Sequence, residues 1–171
     1  MRLKRTKYRW QASITSALES IPLSAPWTVE EFCQWLERER GKTVSLLPRD
    51  ADTSSILKCG TLYVMPDELA IKYSAQYSPR HQRQQIFHEI AHVLCDHRGE
   101  DVYDVPESTL TDGIDPSRVQ EILRRSSFST STEAEAELLG TALAVLSRGD
   151  ISGDRNGSLH RSAAIIEYPR R

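Results

Sequence analysis

The run Gln84-Gln85-Ile86-Phe87-His88-Glu89-Ile90-Ala91-His92-Val93-Leu94-Cys95 decides how the rest of the chain is read. On an α-helix His88 and His92 lie four residues apart, so both imidazoles leave one face a single turn from each other. That spacing lets two ring nitrogens reach one zinc ion at about 2.0–2.1 Å. Glu89 stands about 100° further round the helix. A carboxylate there can take a proton from metal-activated water without occupying the metal, which is the general-base position of an H-E-x-x-H peptidase. Ile86, Phe87, Ile90, Ala91, Val93 and Leu94 would bury the same helix and give a metal site a dry, rigid wall. The competing reading is a helix with two satisfied histidines and an ordinary surface glutamate. A third ligand elsewhere in the chain separates the two.

Size and composition narrow the setting. At 171 residues the chain is long enough for one domain with a sizeable core. Its 39% hydrophobic and 27% charged residues fit a soluble globular protein, and a formal net charge of −2 argues against general nucleic-acid binding. Arg2, Lys4, Arg5, Lys7 and Arg9 crowd the start, with Tyr8 and Trp10 among them. They read first as a solvated arm, and second as a contact for nucleic acid or an acidic partner. No apolar run approaches the ~20 residues of a membrane span, and no apolar stretch of the secretory type follows the basic start. Cys33, Cys59 and Cys95 are odd in number and widely spaced, so no disulfide framework is expected. A cytoplasmic protein with reduced thiols follows as the expectation.

Along the chain, Tyr8, Trp10, Ile14, Ala17 and Leu18 predict a first helix, which Pro22 and Pro26 end. Thr28-Val29-Glu30-Glu31 has the form of a capping box, Phe32, Trp35 and Leu36 supply the apolar face behind it, and Gly41 supplies the stop. Residues 43–47, 56–59, 61–65 and 69–73 predict short strands, the first ended by Pro48, with Gly60 and Pro66-Asp67-Glu68 as turns. Ser78-Pro79 then opens the motif helix as N-cap and first helical residue. Asp115-Pro116 predicts a further helix carrying Val119, Ile122 and Leu123, and a last helix begins near Thr132. The fold class is therefore α+β: a small, mostly antiparallel sheet packed on the H-E-x-x-H helix and on further helices. The organisation expected is a basic arm and helix over 1–27, the main domain over 28–148, and a flexible tail over 149–171.

A catalytic zinc site takes three protein ligands and leaves a position for water. His97 lies five residues after His92, about 140° round an uninterrupted helix, so it is expected to point away as a helix-end cation. That also excludes the third-histidine spacing of metzincins. Asp96 and Cys95 are weaker candidates, a surface carboxylate and a buried thiol. On the last helix Glu133 and Glu137 share a face, while Glu135 is expected to point elsewhere. Glu133 could bind the metal, with Glu137 one turn on to hydrogen-bond a ligand histidine. The alternative is an acid-rich first turn placed for the helix dipole. Gly140, Thr141 and Ala144 continue that face with small residues suited to close packing on the motif helix.

With those residues on the page, the chain resembles the ImmA/IrrE-type metallopeptidases, zinc enzymes of the gluzincin kind. His88-Glu89-x-x-His92 and Glu133-Ala134-Glu135-Ala136-Glu137 match that family's motifs in order and spacing, across roughly residues 28–147. The resemblance implies a zincin-like core, with His88, His92 and Glu133 as zinc ligands, Glu89 as catalytic base and Glu137 behind a ligand histidine. It implies a metallo-endopeptidase acting on, or with, a helix-turn-helix transcriptional regulator in a stress response, mobile element or toxin–antitoxin-like pair. Leu139-Gly140 and Val145-Leu146-Ser147 depart from the family's usual aromatic-Ala and Leu-Leu-Met-Pro-like ending, so the pocket wall is expected to differ. Tyr103 is a candidate oxyanion stabiliser. The alternative function is a non-proteolytic regulatory partner of a transcription factor on the same fold, and a structural zinc domain is a third reading that needs a fourth ligand.

Overall fold

Helix α2 (Val29–Arg40) starts where its local chemistry dictates. The Thr28 hydroxyl accepts from the Glu31 backbone N–H at 3.1 Å, and the Glu31 carboxylate accepts from the Thr28 N–H at 2.8 Å. Gly41 closes the helix in the left-handed conformation with φ 62°, donating its N–H to the Glu37 carbonyl. The computed structural model describes residues 12, 14–49, 60–101, 114–123 and 129–147. The basic arm over 1–11, the strand expected over 56–59, Tyr103 and the tail lie outside them. Ahead of α2, residues 14–20 are helical (α1) and bury Ile14, Leu18 and, just beyond, Ile21 in the same core that α2 enters.

The strands are β1 (Thr43–Arg49), β2 (Thr61–Val64), β3 (Glu68–Ser74), β4 (Glu100–Asp101) and β5 (Glu121–Leu123). They form one sheet in the order β1-β3-β2-β5-β4. β1 runs parallel to β3, and the other three pairings are antiparallel, so the sheet is mostly antiparallel as expected. Two expectations fail here. Pro48 does not end β1, which continues to Arg49 with Pro48 opposite Tyr73. Among the described residues β1 has only β3 as a neighbour, and a residue with no N–H is tolerated on an open side. The helix expected after Asp115-Pro116 is one 3-10 turn, Pro116–Arg118, followed by β5. Ile122 lies opposite Tyr63 and Leu123 opposite Leu62, so pairing with β2 overrides a weak helical period.

Helix α3 (Pro79–Leu94) carries the two histidines, and Ser78 caps it by accepting from the His81 N–H. Helix α4 (Thr130–Ser147) lies along α3, and α3 lies on β3. The main core joins α1, α2, α3, α4 and one face of the sheet, with Leu62, Leu69 and Ile71 facing it. Phe32 sits at its centre, 5.5 Å from the Trp27 ring, 5.0 Å from Trp35 and 5.3 Å from Phe87 by centroids. Phe87 precedes His88, so this cluster fixes the rotation of α3 about its axis. The alternate residues Tyr63, Ala70 and Ile122 bury the other sheet face with Met65, Ile114 and Val119. The class is α+β, and no helix among the described residues is long and apolar enough to cross a membrane.

Candidate metal centre

Helix α3 brings His88 and His92 to one face, as the four-residue spacing requires. Their Nε2 atoms are 3.2 Å apart, with the rings edge-on at 77°. α4 brings Glu133 to the same point. Its Oε1 is 3.3 Å from His92 Nε2 and its Oε2 is 3.7 Å from His88 Nε2. His88, His92 and Glu133 could therefore hold a metal ion between them. All three are well covered, with side-chain exposures of 14%, 1% and 16%.

The close approach of α4 has one cause that the sequence half reveals. A Cβ on Gly140 would stand 2.9 Å from His88 Cα and 3.0 Å from its backbone N. Only glycine lets α4 lie directly on the backbone of α3 at His88. The expectation that small residues allow close packing is met at this position.

Glu89 is 2% exposed and its carboxylate lies over Gly60. A Cβ at Gly60 would come within 2.7 Å of Glu89 Oε1 and 2.9 Å of its Cγ. Gly60 was read from sequence as turn punctuation; it also makes room for the carboxylate. Nothing local marks that role, because Gly60 and Glu89 are 29 residues apart in the chain. Burial pushes the Glu89 carboxyl up to about 8; neighbouring His88 opposes this and Glu133 adds to it. Burial also pushes His92 down to about 3, with the positive charges of His88 and His97 acting the same way. For His88, burial opposes the charged ring, but contact with Glu137 and the charges of Glu89, Glu133 and Glu137 leave its pKa raised.

Glu137 lies on the His88 side of the site. Its Oε2 is 3.4 Å from His88 Nδ1, an ion-pair distance, and the side chain is 63% exposed. His97 does not stand where it was expected. α3 ends at Leu94 rather than running past His97, and Asp96 takes a left-handed φ of 53°. The His97 N–H then donates to the His92 carbonyl and the Asp96 N–H to that of Val93, the two reversed bonds of a Schellman ending. This folds His97 back, with its Nδ1 3.0 Å from His92 Nδ1. Glu135, expected to point elsewhere, meets His97 Nε2 at 3.4 Å. His97 touches His92 on Nδ1, the ring nitrogen not facing Glu133, so it is no fourth ligand. Cys95, His97 and Glu135 form a second group that could hold a metal ion by proximity. Burial, then Glu135 and Asp96, push the Cys95 thiol up to about 12.

No protein-family model matches the chain, and no curated protein matches it.

Proposed function

We propose that the chain is a zinc-dependent metallo-endopeptidase with a zincin-like core, and that His88, His92 and Glu133 are its zinc ligands. The observation that carries this reading is the convergence of two imidazole Nε2 atoms and one carboxylate. Two bonds of about 2.05 Å at a tetrahedral angle put neighbouring donors about 3.3 Å apart. Here the two Nε2 atoms are 3.2 Å apart, and the Glu133 carboxylate meets His92 Nε2 through Oε1 at 3.3 Å and His88 Nε2 through Oε2 at 3.7 Å. A set of two imidazoles and one carboxylate is also the donor chemistry of catalytic zinc, with a fourth position left for water or substrate. The order of elements agrees: a short sheet, the helix with His88 and His92, then a helix with Glu133.

A zinc ion held there would make water acidic near neutral pH, polarise a peptide carbonyl, and draw the raised Glu89 pKa back down. Glu89 then accepts a proton from the attacking water and returns it to the leaving amine. Gly60 keeps the space in which that carboxylate moves, and the buried face of α3 keeps bulk water away. Glu137, 3.4 Å from His88 Nδ1, stands close enough to orient that ring electrostatically. The substrate proposed from the family resemblance is a helix-turn-helix regulator.

A docking module on the same fold has no use for Glu89. A carboxyl 2% exposed is costly to bury, and Gly60 is shaped around it. The test is co-expression with a helix-turn-helix protein encoded beside this chain's gene. Wild type should cleave it and Glu89→Gln should retain zinc without cleaving. Full biological activity in Glu89→Gln would replace proteolysis with docking.

A further inference from the structure

We propose that His97 and Glu135 are positioning residues for the metal centre, holding His92 with its proton on Nδ1 and its Nε2 bare toward the metal. The inference rests on the zinc-centre reading above. Two neutral imidazole nitrogens 3.0 Å apart share one proton, so one of them donates and the other accepts. If the lone pair of His92 Nε2 goes to the metal, the proton of that neutral ring is on Nδ1. His92 is then the donor and His97 Nδ1 the acceptor. A neutral His97 carries its own proton on Nε2, and that atom faces Glu135 Oε2 at 3.4 Å. The donors run in one direction, from His92 through His97 to a carboxylate. Reversing the direction would put His92's proton on Nε2 and block the metal.

The chain is built into the fold. His97 and Glu135 are only 10% and 16% exposed. The turn that delivers His97 is clamped by Arg40 of α2, which donates to the Val93 carbonyl at 2.8 Å and to Asp96 Oδ1 at 3.0 Å. Each ligand histidine thereby reaches a carboxylate of α4: His88 meets Glu137 directly, and His92 meets Glu135 through His97. The alternative, a second metal on Cys95, His97 and Glu135, conflicts with the first. His97 Nε2 cannot bind metal while its Nδ1 accepts from His92 unless the ring becomes an imidazolate.

The experiment measures zinc affinity of the full chain by competition with a chelator, for wild type, His97→Ala, His97→Asn and Glu135→Gln. It adds long-range proton–nitrogen spectra of the zinc-loaded proteins. His97→Ala should weaken zinc about 10–100-fold, the usual effect of removing a ligand's outer partner. His97→Asn should recover most of that loss, because its amide oxygen can stand where Nδ1 stood; a merely space-filling His97 would not be rescued this way. The loaded wild type should show His92 protonated at Nδ1, and Glu135→Gln should shift the His97 signals. Unchanged affinity in His97→Ala, or two zinc ions per chain falling to one in Cys95→Ala, would overturn the inference while leaving the zinc centre intact. A wild type that binds no zinc would overturn both. If His97→Ala does not fold, the tautomer of wild type and the affinities of the other two variants decide.

Discussion

Gly140→Ala adds a single methyl group where the site is tightest. Its Cβ would lie 2.9 Å from His88 Cα, 3.0 Å from His88 N and 3.1 Å from the Phe87 carbonyl carbon. Ordinary carbon contacts are about 3.5–4.0 Å, so α4 must retreat by roughly 0.5–1 Å, because backbone atoms cannot swing aside. Alanine returns about 0.8–1.0 kcal/mol of helix propensity, while overpacking a core typically costs about 1–3 kcal/mol. The net loss is roughly 0–2 kcal/mol, a fall in melting temperature of at most about 8 °C for a chain of this length. The proposed metal centre is less forgiving. Glu133 rides on α4, and ligand distances tolerate only about 0.2 Å. Zinc affinity should therefore fall tenfold or more, out of proportion to stability. The assay pairs a thermal melt with chelator competition on the same preparation. A variant with a raised melting temperature and wild-type zinc affinity would refute the claim that this contact sets the ligand geometry.

Gly60→Ala should act oppositely, because its clash is with the end of a flexible side chain. If the chain is the zinc peptidase proposed above, the fold and zinc content should survive while displacement of the Glu89 carboxylate abolishes cleavage; full cleavage would remove Gly60 from the site. The metal-free chain should also show a characteristic pH profile. His92, lowered from 6.5 to about 3, is protonated first in the unfolded chain, so it withdraws stability as pH falls below about 6.5. Glu89, raised from 4.5 to about 8, holds its proton longer in the folded chain. Its contribution is complete below about 4.5 and is lost as pH rises to about 8, and His88, also raised, adds to that alkaline loss. Between about 4.5 and 6.5 the His92 and Glu89 slopes cancel. The chelated protein should melt highest in that window, and a melting temperature that climbs from pH 6.5 to 8 would contradict the assignment.

Features that depend on a few consecutive residues were legible in the sequence. The Thr28 capping box, the Ser78-Pro79 helix start and the shared face of His88 and His92 are of this kind, and the structure has all three. Helical spacing puts Glu133 and Glu137 on one face, but only the family resemblance favours them over an acid-rich first turn placed for the helix dipole. What was not legible depends on partners distant in the chain. Asp96 carries no glycine-like signal for a left-handed turn, and Arg40, which clamps that turn, lies 56 residues upstream. Reading the helix as uninterrupted therefore sent His97 the wrong way and left Glu135 without a purpose. Pro48 fits inside β1 because β1 is an edge strand among the described residues, and edge position is a property of the sheet. β5 is a strand because it pairs with β2, which joins Ile122 to Tyr63, far apart in sequence.

The proposed centre joins three side chains from two helices on one zinc ion. Metal analysis of the purified protein decides this, read for wild type beside His88→Ala, His92→Ala and Glu133→Ala. About one zinc per chain in wild type, falling sharply in all three variants, is the predicted result. Zinc retained at the wild-type level through both histidine substitutions would contradict it.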